Sequence, residues 1–221
     1  MEEKKTNKTL NYIVGTVVVL LVIIGAVSIV SFCAGKISSK RAEAANEKLA
    51  QYESFIAPVI MNDPDTFDDV SKANQSQLVA ITIWSILQDN AEPDKYEYAD
   101  DGMLLPQSDV ESKFQMLFGS EVKITHATVD GGGIEFKYSE KKECYIIPIT
   151  GITPIYTPKV IEADEKGNSV VLTVGYLAGE DWAQDAEGNM VEPEPAKYMR
   201  VTLRKNSDGN YYVASIQNEN S

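Results

Sequence analysis

Few side chains in this sequence could carry out catalysis by themselves. His126 is the only histidine, and Cys144 is the only cysteine outside the hydrophobic N-terminal segment, which contains Cys33. A thiol and an imidazole act as a nucleophilic dyad when they lie within hydrogen-bonding distance, but nothing in the sequence brings these two together. A zinc site would need carboxylates as its other ligands. We therefore predict no catalytic residue and no metal site, and we expect His126 to be a half-buried imidazole on a strand.

The sequence also lacks the motifs of common enzyme classes. It contains neither a Gly-x-Ser-x-Gly elbow nor a phosphate-binding Gly-Lys-Ser or Gly-Lys-Thr loop. Ser139 and Lys142 have a serine-xx-lysine spacing, but they lie in a predicted hairpin turn and not at the start of a helix. The triple glycine at 131–133 is not followed by a helix whose N-terminus could bind phosphate. We predict a non-enzymatic protein without a cofactor.

Five aromatic residues are candidates for binding. Tyr138, Tyr145, Tyr156 and Tyr176 fall on predicted strands and could line a concave sheet face that accepts a small ligand. The alternative, which we favour, is that these tyrosines pack against the helices as part of the core. Trp182 lies in an acidic loop, where it is either an exposed contact for a partner protein or a ring folded back over the sheet.

Net charge argues against nucleic acid as a partner. The chain has 33 Asp and Glu against 20 Lys and Arg, a net charge of −13. It shows no run of basic residues interleaved with aromatics, which is the pattern typical of nucleic-acid binding. An acidic domain is also repelled by an anionic lipid surface. We predict that the chain meets the membrane through its hydrophobic segment, residues 9–35.

Residues 9–35 predict a transmembrane helix. The segment is 27 residues long and has no charged side chain. As a helix it spans about 40 Å, more than the ~30 Å hydrocarbon core of a bilayer. A cleaved signal peptide has a shorter apolar core, and Phe32 before Cys33 departs from the lipoprotein pattern. We predict an uncleaved signal anchor that follows a cytoplasmic tail, residues 1–8.

The orientation of the anchor is predicted from its flanking residues, and the role of the next segment from the spacing of its apolar residues. The basic residues on the two sides of the anchor nearly balance, but a short tail before a large domain favours a cytoplasmic N-terminus and an extracytoplasmic C-terminal domain. Residues 36–57 predict a helical stalk. Apolar residues recur there every three or four positions over about two heptads, which leaves a weak dimerisation seam as the alternative. The seam residues are Ala42, Ala45, Leu49, Tyr52 and Ile56.

Residues 58–221 predict one α+β domain. A loop over 58–69 has Asp residues that we expect to cap the next helix, which spans 70–89. A second helix starts at Ser108 with a capping box to Glu111 and ends at Gly119. Alternating residues joined by turn-like sequences then predict antiparallel strands, which we expect to form one curved sheet around the helices. The strand candidates are 121–129, 134–138, 143–149, 155–163, 169–177, 196–205 and 210–217, with Pro158 indicating an edge.

The element order and the final hairpin, 198–203 returning through 211–216, resemble the nuclear-transport-factor-like cone fold. The resemblance covers residues 66–217 and implies an extracytoplasmic bacterial domain. The stretches 109–111, 117–119 and 147–151 also resemble a group of Gram-positive membrane-anchored proteins, which brings no known activity with it. An anchor followed by a cone domain is similar to the inner-membrane assembly factors of type IV secretion systems.

Three functions follow as hypotheses. The first is a membrane-tethered interaction or scaffold domain that binds other membrane or envelope proteins. The second is a ligand-binding sensor that uses the concave sheet face. The third, an enzyme of unknown class, requires His126, Cys144 and several carboxylates to converge in one cleft.

Overall fold

The computed structural model describes residues 43–89, 95–149, 151 and 154–219. The chain divides into two units, Met1–Lys48 and Leu49–Ser221. The predicted tail, residues 1–8, the predicted transmembrane helix, residues 9–35, and the first part of the predicted stalk lie outside the described residues. Among the residues that the structure does describe, no helix is both long enough and apolar enough to cross a membrane. In the first unit, residues 43–48 are helical.

The second unit begins with helix α1, residues 49–60. Tyr52, Ile56, Val59 and Ile60 of this helix are buried in the hydrophobic core. Residues 49–57, predicted as part of the stalk, therefore belong to this compact unit, and two residues of the predicted seam, Tyr52 and Ile56, pack inside it. The helix gives way to a turn in which the N–H of Asp63 bonds the carbonyl of Ile60.

Helix α2, Gln75–Asp89, is buried on nearly every side over residues 78–86, as its apolar composition predicts. It begins later than predicted because residues 70–72 form a separate 3-10 helix, Val70–Lys72, capped by Asp69, whose side chain accepts the N–H of Ser71. The amide oxygen of Asn74 accepts the N–H of Ser76 and so caps α2 itself. The prediction that an Asp in this loop acts as a cap is confirmed for Asp69.

Helix α3, Gln107–Phe118, follows Pro106, which makes no side-chain cap. The predicted capping box between Ser108 and Glu111 is wrong, because the carboxylate of Glu111 bonds Gln107 and His126 instead. The predicted end is confirmed: Gly119 has φ +88° and its N–H bonds the carbonyl of Gln115.

The described strands form antiparallel sheets, and the α+β class is confirmed. The predicted single sheet is divided into a five-stranded sheet ordered β1-β2-β5-β4-β3, a four-stranded sheet ordered β11-β10-β7-β6, and a ribbon, β8-β9. The strands are β1 Tyr98–Ala99, β2 Gly102–Pro106, β3 Val129–Asp130, β4 Glu135–Ser139, β5 Cys144–Ile147, β6 Tyr156–Lys166, β7 Ser169–Ala178, β8 Ala183–Gln184, β9 Met190–Val191, β10 Lys197–Lys205 and β11 Tyr211–Asn218.

The first predicted strand is mostly absent. Only Val129 from 121–129 enters a strand, and residues 121–128 have no strand structure. Gln75 of α2 explains this difference: its side-chain amide donates to the carbonyl of Lys123, and its oxygen accepts the N–H of Thr125. A helix side chain thus satisfies backbone groups that a neighbouring strand would otherwise pair.

Each edge of the four-stranded sheet is contacted by another part of the domain. Edge strand β6 contains Pro158, as predicted, and a bulge after Val160, where Glu53 of α1 accepts the N–H of Val160 at 2.9 Å. On the opposite edge, Phe67 pairs with Ile216 of β11 through two backbone hydrogen bonds. Covered edges leave fewer backbone groups to pair with other chains.

Candidate functional site

The structure separates the four candidate tyrosines into two pairs on different sheets. Tyr138 and Tyr145 are opposite each other on β4 and β5, with ring centroids 5.1 Å apart. Tyr156 and Tyr176 lie on β6 and β7, with centroids 5.3 Å apart. Tyr145 and Tyr176 are 0% and 1% exposed. The four residues therefore do not line one common face, and two of them are core residues.

The first pair belongs to a hydrogen-bonded group that we call the His126 cluster: His126, Tyr145, Tyr138, Glu111 and Gln107. Nδ1 of His126 lies 3.0 Å from the hydroxyl oxygen of Tyr145, and Nε2 lies 2.9 Å from Oε1 of Glu111. The ring of Tyr138 stacks on the imidazole, with centroids 5.2 Å apart and an interplanar angle of 21°. Both ring nitrogens therefore have oxygen partners.

Gln107 closes the His126 cluster on its other side. Its Nε2 donates to Oε1 of Glu111 at 3.2 Å, and its Oε1 accepts the hydroxyl proton of Tyr138. Gln107 and Glu111 are four residues apart on α3 and so lie on the same face of the helix. The cluster thus connects α3, the segment 121–128 and the five-stranded sheet.

The His126 cluster is a half-buried polar network, in which the side chain of Glu111 is 38% exposed. Carboxylate, imidazole and hydroxyl stand in the order of an activated nucleophile, but the hydroxyl of Tyr145 is enclosed in the core. Burial raises the pKa of Tyr145 to about 12, although the N–H of Ala127 bonds its oxygen. A hydroxyl in this position does not reach a substrate. The arrangement of carboxylate, imidazole and hydroxyl therefore gives no positive evidence of catalysis.

Cys144 does not form the dyad that the sequence left open. Both nitrogens of His126 are bonded to Tyr145 and Glu111, so neither is directed at the thiol. Cys144 is buried and free, and burial raises the pKa of its thiol. Within the described ranges, no group of three or more His, Cys, Asp or Glu side chains is placed to hold a metal ion.

The second pair of tyrosines forms a different arrangement, which we call the Lys197 cage: Tyr156, Tyr176, Lys197 and Asp63. Nζ of Lys197 lies 4.9 Å from the centroid of Tyr156 and 4.8 Å from that of Tyr176. The same nitrogen is 2.5 Å from Oδ1 of Asp63. An ammonium group is thus held by two aromatic faces and one carboxylate.

One polar atom in the Lys197 cage has no partner. The hydroxyl of Tyr176 is buried and makes no hydrogen bond. Burial, together with the negative charge of Asp63, raises the pKa of Tyr176. Buried polar groups without a hydrogen bond are uncommon in folded proteins and call for an explanation.

Trp182 lies in residues 179–195, which we call the ribbon segment because they contain β8 and β9. Trp182 directly follows a 3-10 helix, Gly179–Asp181, and is half-buried. The exposed apolar side chains of the segment are those of Met190 and Val191, which are 57% and 46% exposed. Asp185 orders the turn between the two strands by accepting the N–H groups of Glu187 and Asn189.

A cleft of about 300 Å³ lies beside α2. Its polar lining residues are Asn62, Gln77, Asp130 and Trp84. Each of these side chains already bonds a backbone group; the indole N–H of Trp84, for example, donates to the carbonyl of Gly131 at 2.9 Å. One polar atom of each of these side chains is therefore already used inside the domain.

Sequence reasoning missed most of the contacts that define these two sites. It assigned Glu111 to a capping box, although the spacing of four residues between Gln107 and Glu111 on a helix was a usable signal. It did not associate Asp63 with Lys197, which is 134 residues further along the chain. No local pattern connects residues so far apart.

No known protein family, curated protein or solved structure matches this chain. The resemblance to the nuclear-transport-factor-like fold therefore stays a prediction that rests on element order.

Proposed function

We propose that this chain is a membrane-tethered, non-enzymatic interaction or scaffold protein, with its globular domain outside the cytoplasmic membrane. The support from sequence is the uncharged apolar segment, residues 9–35, ahead of an acidic domain. The support from structure is that the candidate pocket tyrosines are engaged in internal contacts. Exposed apolar side chains of the domain include Met190 and Val191 of the ribbon segment.

The ribbon segment is the observation on which this proposal rests. Residues 179–195 contain six Asp and Glu and no Lys or Arg, while Met190 and Val191 are exposed on β9. Apolar side chains surrounded by carboxylates are suited to a partner whose apolar surface is bordered by Lys and Arg. The partner class is therefore a protein with a basic rim, in the same membrane or envelope.

Two contacts hold the ribbon segment against the four-stranded sheet. Glu192 forms a salt bridge of 2.9 Å with Lys159 of β6. Gly175 of β7 leaves the space that Pro195 occupies, since a Cβ at position 175 would lie 2.8 Å from Cγ of Pro195. Binding sites are often on loops that a rigid scaffold positions.

The interaction is tested by photo-crosslinking from position 190 of the full chain in intact cells, followed by reconstitution with the purified partner. The variant M190S/V191S is expected to lose most of the binding, because a few central apolar contacts dominate an interface. The matched control is Met116→Ser, since Met116 is 59% exposed but lies on α3. If the only product is the uncrosslinked monomer, or if both variants bind equally, the proposal fails.

The side of the membrane is tested separately with reporter fusions. A reporter that is active only outside the cytoplasm is expected to be active when fused after Ser221, and a cytoplasmic fluorescent reporter is expected to be dark there. The opposite pair of results would place the domain in the cytoplasm.

The cone-like fold is part of the proposal. The helices α1, α2 and α3 all lie ahead of β3, although β1 and β2 precede α3, and this order and the antiparallel pair of β10 and β11 support it. The division into two sheets is a departure from one continuous curved sheet. An experimental structure of the full chain tests this, and two sheets that curve away from each other would remove the resemblance.

A further inference from the structure

We propose that Tyr156, Tyr176 and Asp63 form a binding site for an alkylammonium group, and that Lys197 occupies this site as a built-in competitor. This inference does not depend on the partner proposed above or on the side of the membrane. It names a ligand chemistry for a different surface of the domain.

The geometry is that of an aromatic cage. The rings of Tyr156 and Tyr176 meet at an interplanar angle of 63°, so they form two walls of a corner. The faces of aromatic rings carry negative potential, and cages of this kind recognise quaternary ammonium ligands and methylated lysine. Asp63 adds a full negative charge on the third side, within 2.5 Å of the bound nitrogen.

The present occupant is suited to exchange. Lys197 is the first residue of β10, and its side chain is 36% exposed, so part of it is in contact with solvent. Its long flexible side chain leaves the site without any movement of the backbone. Once it has left the site, the Lys197 ammonium group is solvated by water. Its displacement by a ligand therefore involves this side chain alone.

The unpartnered hydroxyl of Tyr176 is the second, independent observation. Tyr176 is 1% exposed, and its hydroxyl is buried and makes no hydrogen bond while Lys197 fills the cage. The group is close enough to Asp63 to be affected by its charge. Lys197 has no acceptor atom and so leaves this donor unsatisfied.

An ordinary ion pair between Lys197 and Asp63 would explain the salt bridge alone. It does not explain why two aromatic faces meet at the ammonium or why a buried donor beside them is unused. The two interpretations differ in one measurable respect, because only a binding site takes up an added ammonium ion in a saturable manner.

The test is isothermal titration of the detergent-solubilised full chain with tetramethylammonium chloride, with sodium chloride at equal ionic strength as the reference. A second arm uses Nα-acetyl-lysine amide, which distinguishes a small quaternary ammonium from a lysine side chain of a peptide. We expect saturable binding to the wild type and about tenfold tighter binding to Lys197→Ala, because the competitor is removed. The probe that binds more tightly shows whether the site prefers a small quaternary ammonium ion or the lysine side chain of a peptide.

The matched control is K197A/Y156L, which lacks the competitor and one aromatic wall. It is expected to bind about tenfold more weakly than K197A. Circular dichroism checks that each variant is folded, and Lys197→Gln replaces K197A in the same comparison if K197A is not. The proposal is overturned if the wild type shows no saturable binding, or if removal of the Tyr156 ring leaves the affinity of the lysine-free variant unchanged.

Discussion

The hydroxyl oxygen of Tyr145 lies 3.0 Å from Nδ1 of His126, and this contact joins a segment without strand structure to the central strand of the five-stranded sheet. Nε2 of the same imidazole reaches Glu111 on α3. One side chain therefore connects three elements that are separate in sequence. Because the members of such a network share partners, removal of one leaves its immediate neighbours with a hydrogen bond unmade.

Tyr145→Phe is expected to lower the free energy of unfolding by about 2 kcal/mol, since it removes a buried hydroxyl and its hydrogen bond with half-buried His126. Urea denaturation of the full chain measures the change. Tyr98→Phe is the matched control, because Tyr98 is exposed, and its effect is expected to be within about 0.5 kcal/mol. Equal effects for the two substitutions would show that the Tyr145 hydroxyl does not support the cluster.

The lowered pKa of Asp109 predicts that the protein loses stability in acid. Burial acts to raise the pKa of Asp109, but hydrogen bonds from Lys95 and Tyr96 outweigh it and lower the pKa. Because the pKa is lower in the folded state, the carboxylate stabilises the fold above its unfolded pKa, and this stability is lost as the pH falls through the folded value. Asp109→Asn is expected to flatten the fall in stability below about pH 4.

The pH prediction is checked by measuring the melting temperature of both proteins across the acid range. Lys95→Met provides a second comparison, because it removes the ammonium that lies 3.1 Å from Asp109. It is expected to reduce the same pH dependence. A variant D109N whose melting temperature falls as steeply as that of the wild type would contradict the assignment.

Gly102 is expected to tolerate no side chain. Its φ is +142°, and a Cβ at this position would lie 2.2 Å from the carbonyl oxygen of Ile147 on the paired strand. Gly102→Ala therefore combines an unfavourable backbone conformation with a collision against backbone, at an expected cost of at least about 3 kcal/mol. Gly132→Ala separates the two effects, since its φ is +87° but nothing lies within 4 Å; about 1 kcal/mol is expected. Thermal unfolding measures both, and similar costs would argue against the collision.

Glu53 is expected to protect the edge of the four-stranded sheet. Its carboxylate accepts the N–H of Val160 at the bulge in β6, and Glu53→Ala leaves that N–H without a partner at a cost of about 1 to 2 kcal/mol. Hydrogen exchange at the Val160 amide is expected to become faster. Gln51→Ala, an exposed position on the same helix, is the control, and exchange at Val160 that is unaffected by E53A would remove this role.

The strands were predicted correctly where turn sequences and an alternating pattern of apolar residues indicated the same bounds. The strands β6, β7, β10 and β11 lie within one to three residues of their predicted bounds, because each pair is joined or bordered by turn sequences and has one buried face. The prediction failed for residues 121–128, whose backbone is paired by the Gln75 side chain. It also missed the hairpin of β1 and β2, whose short strands have no extended alternating pattern.

The candidate sites were predicted as residue types but not as arrangements. Each of the four tyrosines lies on a strand, as expected, yet the division into two sheets places them in two separate groups. Trp182 is half-buried, and the exposed apolar groups of its segment are Met190 and Val191. The packing of the ribbon segment against the four-stranded sheet decides which of these side chains are exposed to solvent. That packing depends on residues that are distant in the sequence.

By itself, the sequence determined the properties that depend on composition and local periodicity. It established a long uncharged apolar segment over residues 9–35, an acidic chain, and an α+β order of elements, because hydropathy and alternation act over a few residues at a time. Only the tertiary structure decided which side chains meet. Asp63, which follows α1, meets Lys197 of β10, and Glu111 of α3 meets His126 of the segment 121–128. Such pairs depend on how the whole core packs.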